Sequence, residues 1–200
     1  MQELKKSGHA LGSRTDPESR YLRKRGGFVL GYTAEVAVSD DHFIVGQRVH
    51  QAVNDTASLP EMIDVVNQVC GAPPEAAMAD SGYYSKPSVA QMAERRIPAY
   101  VPDPVQAREL AGFVPKIAMN ARQQHRHPGL AERRRWMRSP EARQIYERRK
   151  AVVEPVFGVL KQQRSMRQFR LRGLENVSTE WTLAATAFNL TRLFALQRSS

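Results

Sequence analysis

Two neighbouring stretches constrain most of what this chain can fold into. In FVLGYTAEVAV, residues 28–38, Tyr32, Ala34, Val36 and Val38 alternate with Thr33 and Glu35. Side chains two apart share one face of a strand, so this is strand patterning. SDDH follows as a turn cluster, and FIVGQRV at 43–49 reads as a second strand. The pair is predicted to form an antiparallel hairpin. The period then changes. Leu59, Met62, Ile63, Val66 and Val69 recur at helical spacing. Ser58 and Glu61 have the spacing of a capping box, and Gly71 supplies the stop.

Strand and helix signals continue to alternate. EAAMAD, 75–80, reads as a short buried strand ending at Asp80. Ser85 and Pro87 open another helix, and IPAYVP, 97–102, is a further short strand bounded by prolines. Alternation of this kind predicts an α/β fold, a sheet covered by helices. Residues 1–26 are polar and read as a poorly ordered arm, leaving 27–200 as the folded domain. Residues 103–138 show no sustained period and read as an exposed insertion. Ser139-Pro140-Glu141 starts a long helix predicted to reach about Arg164, kinked at Pro155, and a last helix is expected over about 177–197.

Charge narrows the class of partner. The chain carries a formal net charge of +10, and residues 121–172 hold fifteen Lys and Arg against four Glu. So concentrated a basic field suits a polyanion. No stretch is long and uncharged enough to span a bilayer, and Glu180, Asn189 and Arg192 interrupt the last helix. The first twenty residues lack the apolar core of a signal peptide. With Cys70 the sole cysteine, no intrachain disulfide can form, which fits a reducing cytoplasm. His125 and His127 read as a loop rather than a metal pair.

Two carboxylates stand out. Asp80 lies on the lip of a predicted strand, where ligands of open α/β sheets bind, although Asp-Ser-Gly is also turn chemistry. Glu154 adjoins an apolar stripe and a proline on the long helix. Lys161 lies seven residues on, two helical turns away on the same face, and Lys150 precedes Glu154 by four.

Asp80 in ADSGYYS, together with Tyr146, Arg149, Glu154 and Lys161, resembles the DDE-class insertion-sequence transposases that carry a Tyr-Arg-Glu-Lys signature. TDPESR at 15–20, GYTAEVAV at 31–38 and VNDTASL at 53–59 look like further blocks of that family, so the likeness runs from about Thr15 to Leu193. Tyr146 to Glu154 is one residue longer than the usual signature, which leaves Arg149 or Lys150 as its basic member.

The resemblance implies a ribonuclease-H-like fold, a mixed sheet with flanking helices. It implies cleavage and strand transfer of transposon DNA with Mg²⁺ or Mn²⁺. Asp80 and Glu154 would then be catalytic metal ligands, with Tyr146, Arg149, Lys150 and Lys161 contacting DNA. It also implies a third carboxylate, on a first strand for which the residues before Thr15 offer only Glu3. Asp16 reads as a loop residue, and Asp55 as a loop or cap. The expectation is therefore a C-terminal part of a transposase that lacks its first strand and is inactive alone. Its open sheet edge invites a second copy, hence a homodimer. A ribonuclease-H-like nuclease without strand transfer, and a non-enzymatic basic nucleic-acid binder, are the competing readings. Arg-rich ERRRWMR at 132–138 is read either as a DNA-contacting arm with Trp136 as a wedge, or as a basic helix turn with one buried aromatic.

Overall fold

The computed structural model describes residues 13–24, 26–52, 58–113 and 128–198. The architecture is mixed α/β. In order it runs β1 (Arg20–Lys24), β2 (Gly27–Gly31), β3 (Thr33–Val38), β4 (Ile44–His50), α1 (Ser58–Cys70) and β5 (Ala77–Met78). A 3₁₀ turn (Ser81–Tyr83), α2 (Lys86–Glu94), β6 (Ala99–Tyr100), α3 (Pro104–Leu110) and α4 (Pro128–Met137) follow. The chain closes with α5 (Pro140–Gly158), a π-helical turn (Val159–Gln163) and α6 (Leu174–Gln197). Two compact units emerge: residues 1–54 with 152–200, and residues 55–151.

In the first unit β3 and β4 form the predicted antiparallel hairpin, with Glu35 opposite Arg48 and a register shift between Ala37 and Val38. One face of the hairpin carries Ala34, Val36, Val38 and Val49. With Ile44 of β4 it packs on Val156, Leu160, Trp181, Ala185 and Phe188. Side chains of α6 tie the helix to the strands. Asn189 accepts from the Ile44 N–H and donates to the Ile44 carbonyl, both at 2.8 Å. Trp181 Nε1 donates to the Glu35 carbonyl at 3.1 Å. Trp181 and Phe188 are thus core residues, as their helical spacing suggests. Pro155 lies inside α5 and, lacking an N–H, leaves the Ala151 carbonyl without its helical donor. The helix nevertheless continues to Gly158 and loosens into the π-helical turn.

The segment read as a polar arm is not wholly one. Residues 20–24 form β1, paired antiparallel with β2, so the strand signal at 28–31 belongs to a separate ribbon. The TDPESR block fastens this ribbon to the start of α6. Tyr32 donates its hydroxyl to Asp16 Oδ1 at 2.6 Å, and the Gly173 N–H reaches the same oxygen at 3.3 Å. The Leu174 N–H donates to Glu18 Oε2 at 2.9 Å, an acid satisfying a helix N-terminus. Gly173 has φ +80°, a conformation that strains any residue with a Cβ, and a Cβ there would also lie 3.1 Å from that carboxylate oxygen, so the Glu18 side chain would have to shift.

In the second unit β5 and β6 pair in parallel, Ala77 with Ala99 and Met78 with Tyr100. Their core joins Leu59, Ile63, Ala77, Met92, Ile97, Ala99 and Val101. Gly71, at φ +74°, ends α1, its N–H bonded to the Asn67 carbonyl at 2.9 Å. Ser85 caps α2 through the Ser88 N–H at 3.1 Å, and Ser139 caps α5 through the Ala142 N–H at 3.2 Å. Among the described residues the strands make three two-stranded sheets rather than one mixed sheet. The span 103–138 is not a plain loop, since its described residues include α3 and α4.

Candidate active site

The parallel pair β5–β6 places an aspartate just beyond the carboxyl end of each strand, and the two are used differently. Asp103, after β6, is the N-cap of α3, where Oδ1 accepts from the Val105 N–H at 2.8 Å and the Gln106 N–H at 3.3 Å. Arg134 of α4 grips the same carboxylate with two bonds, Nε to Oδ2 at 2.6 Å and Nη2 to Oδ1 at 2.9 Å. Burial pushes Asp103 up, but the bonds from Arg134 and Val105 outweigh it and hold the carboxyl below the usual range. Arg133 donates through Nη2 to the carbonyls of Ala99 at 2.7 Å and Val101 at 2.9 Å, and burial lowers its pKa. Trp136 stacks on Tyr100 at 4.8 Å, with Arg133 5.6 Å from its ring centre. Arg138 pairs with Glu109 at 2.9 Å. ERRRWMR is therefore largely a structural helix: three of its four arginines and its tryptophan hold the unit together.

Asp80, after β5, is exposed. Oδ1 accepts the Gly82 N–H at 2.8 Å and starts the 3₁₀ turn. The turn chemistry expected of Asp-Ser-Gly is present, and it fixes the carboxylate on the strand end. Tyr146 of α5 feels this charge. Its pKa is raised by burial and by Asp80, while Arg149 pulls the other way. Arg149 lies over the Tyr146 ring, 5.6 Å from its centre, and its buried Nε has no hydrogen-bond partner. Asp80, Tyr146 and Arg149, the first separated from the others by more than sixty positions, thus lie in one unit, with the Asp80 charge acting on the Tyr146 hydroxyl. Of the adjacent basic pair, Arg149 turns onto Tyr146 and Lys150 is exposed.

Glu154 and Lys161 belong to the first unit. Both are exposed, and Lys161 Nζ lies 4.9 Å from the Phe157 ring centre. Among the described residues no group of three or more His, Cys, Asp or Glu side chains is gathered as a metal cluster. The donor chemistry of Asp80 and Glu154 still suits a hard cation, since exposed carboxylates are the oxygen ligands that Mg²⁺ takes. Glu3, Asp55, His125 and His127 lie outside the described residues. Asp16 is committed to Tyr32 and the start of α6.

One polar cluster escaped the sequence reading. Glu35, assigned by alternation to the hairpin's other face, is buried, with His50 Nε2 at 3.3 Å and Arg48 Nη1 at 3.9 Å from its carboxylate oxygens. Cross-strand spacing could have shown it, because the register sets Glu35 opposite Arg48.

No described helix is long and apolar enough to cross a membrane. Residues 115–194 match the family model of the transposase DDE domain. No curated protein and no solved structure matches the chain significantly. The matched segment contains Tyr146, Arg149, Lys150, Glu154 and Lys161; Asp80 precedes it.

Proposed function

Because residues 115–194 match the family model of the transposase DDE domain, we propose that the chain carries the catalytic region of a DNA transposase with a ribonuclease-H-like fold. Its work is metal-dependent cleavage and strand transfer of transposon DNA. The assembly of Asp80, Tyr146 and Arg149 carries this reading. It joins the aspartate of one block to the tyrosine and arginine of another, in residue types suited to phosphate chemistry.

In this proposal Asp80 is a carboxylate ligand for Mg²⁺ or Mn²⁺, and Glu154 is likewise a metal ligand. A divalent ion so held would polarise a phosphoryl oxygen and lower the pKa of bound water. Asp80 is suited to a ligand's part because the Gly82 N–H fixes one oxygen while the side chain stays exposed. Arg149 presents a planar guanidinium already oriented by the Tyr146 ring, and such a fork binds phosphate through two hydrogen bonds. Lys150 and Lys161 act as exposed point charges on the DNA backbone. The Tyr146 hydroxyl, held protonated by its raised pKa, is a hydrogen-bond donor to the scissile strand.

The test is strand transfer of a pre-cut end of the element that encodes the chain, followed with Mg²⁺ in wild type, Asp80→Asn and Glu154→Gln. Loss of joining with DNA binding retained supports the assignment. Joining at wild-type rate in either variant refutes it. The basic segment 121–172 supports a second reading, a nucleic-acid binder without chemistry. Salt-sensitive DNA binding with no metal-dependent cleavage by the wild type would select it.

A further inference from the structure

We propose that the β1–β2 ribbon is a docking surface for duplex DNA, an inference that rests on the transposase reading for the identity of the polymer. Register places Tyr21 opposite Leu30 and Arg23 opposite Phe28. Directly opposed residues of an antiparallel pair share a face, so these four side chains form one side of the ribbon. All four are exposed, Phe28 at 67%. The opposite side carries Leu22, which is buried and anchors the ribbon to its unit, and its cross-strand partner Val29, which is 47% exposed.

Exposure of two aromatics and a leucine on one face is unusual for a surface without a partner. The charge on the ribbon identifies that partner. Residues 19–34 contain Arg20, Arg23, Lys24 and Arg25 and no acid. Arg20 is committed to the carbonyls of Pro17, Glu18 and Ser19 at 2.9–3.0 Å, whereas Arg23 stands exposed beside Phe28. A cation interleaved with aromatic rings is complementary to phosphates flanking base edges. Two strands of five residues extend about 17 Å and form a ribbon of the kind the major groove admits.

The base of the ribbon is rigid, which a reading element needs. Tyr32 and Gly173 bond Asp16, Leu174 bonds Glu18, and Gln51 donates to the Glu18 carbonyl at 2.7 Å. The ribbon is thereby tied to the N-terminus of α6, so that interactions made by Tyr21, Arg23 and Phe28 keep a fixed orientation on the unit.

The experiment measures binding of the full 200-residue chain to a fluorescent duplex bearing the element's ends, across a salt series, with sedimentation velocity on the same samples. Tyr21→Ser with Phe28→Ser should weaken binding about tenfold at fixed salt and leave the salt slope unchanged, because stacking or wedging side chains release no counterions. Arg23→Ala should reduce the slope by about 1, because one phosphate is no longer neutralised. Unaltered circular dichroism would show that both variants fold. Wild-type affinity and slope in both folded variants would overturn the ribbon as a DNA surface while leaving the transposase reading intact. A change of oligomeric state in the double variant would overturn it in favour of a second copy. Failure of the wild type to bind any duplex would remove both readings. If the double variant fails to fold, the slope of Arg23→Ala alone decides.

Discussion

The ends of β5 and β6 make a natural comparison. Both strands are short and parallel, and each leads within three residues to an aspartate that caps a helical turn. At β6 the carboxylate is buried and held by an arginine fork; at β5 it is exposed, and its charge acts on a tyrosine whose ring carries an arginine. The same residue type at equivalent strand ends is structural in one place and available to a ligand in the other. The difference lies in what the later helices bring. Arg134 of α4 reaches Asp103 and engages it completely, while Arg149 of α5 turns onto Tyr146.

The sharpest way to break the comparison is at Asp80. Asp80→Asn should reduce strand transfer by a thousandfold or more, roughly 4 kcal/mol of transition-state stabilisation, and shift the unfolding midpoint little because the side chain is exposed. Asp103→Asn should do the reverse, lowering stability and leaving no specific defect in metal dependence. Urea unfolding beside the joining assay checks both. A large stability loss at Asp80 would erase the distinction.

Next in size is Arg134→Met. Removing one partner of a buried pair leaves a carboxylate without its counter-charge, at a cost of about 3–5 kcal/mol. The acid limb gives the sign. Asp103 has a folded pKa below its unfolded value, so its contribution is fully present above the unfolded pKa of about 3.9 and is lost as pH falls through the folded value. Wild type should lose stability on acidification over that window, and Arg134→Met should lose less, since its fork is already gone. Equal acid sensitivity of the two proteins in urea titrations would show that Asp103 is not the group responsible.

Tyr146→Phe should be milder. Burial and Asp80 raise its pKa, so the hydroxyl stays protonated through pH 9, and DNA affinity should be independent of pH between 7 and 9. Loss of the hydroxyl should reduce transfer without abolishing it, by roughly five- to tenfold for one hydrogen bond. An alkaline fall in wild-type affinity that Tyr146→Phe removes would contradict the protonated assignment.

Local signals were legible in the sequence wherever a few adjacent residues decide the outcome. The β3–β4 hairpin, the Ser85 and Ser139 helix starts and the Gly71 stop follow from alternation, capping and left-handed backbone. β1 was not legible, because Arg20, Arg23 and Lys24 swamp the short apolar pair Tyr21-Leu22, and its strand exists by pairing with β2. The helices of 103–138 lack a strong apolar period and are held by a bond between residues thirty-one positions apart, Asp103 and Arg134. The burial of Glu35 was not legible for a related reason: alternation says which face a side chain joins, not whether that face is covered. Of the candidate site, the Asp80 turn could be read directly. The meeting of Asp80 with Tyr146 and Arg149 is tertiary and could not.

A second arginine–carboxylate fork separates geometry from burial. Arg95 binds Asp64 through Nη1 at 2.6 Å and Nη2 at 3.2 Å, much as Arg134 binds Asp103. The Asp64 side chain, however, is 64% exposed where that of Asp103 is 4% exposed. Water already solvates both exposed charges, and salt screens them, so this pair contributes about 0–1 kcal/mol. Asp64→Asn should therefore shift the urea midpoint least of all these variants, and the shift should shrink further at high ionic strength. The Asp103 loss, measured in the same series, should hardly change with salt. If Asp64→Asn cost as much as Arg134→Met at high salt, fork geometry rather than desolvation would set the difference between these carboxylates. The structural assignment of Asp103 would then lose its physical basis.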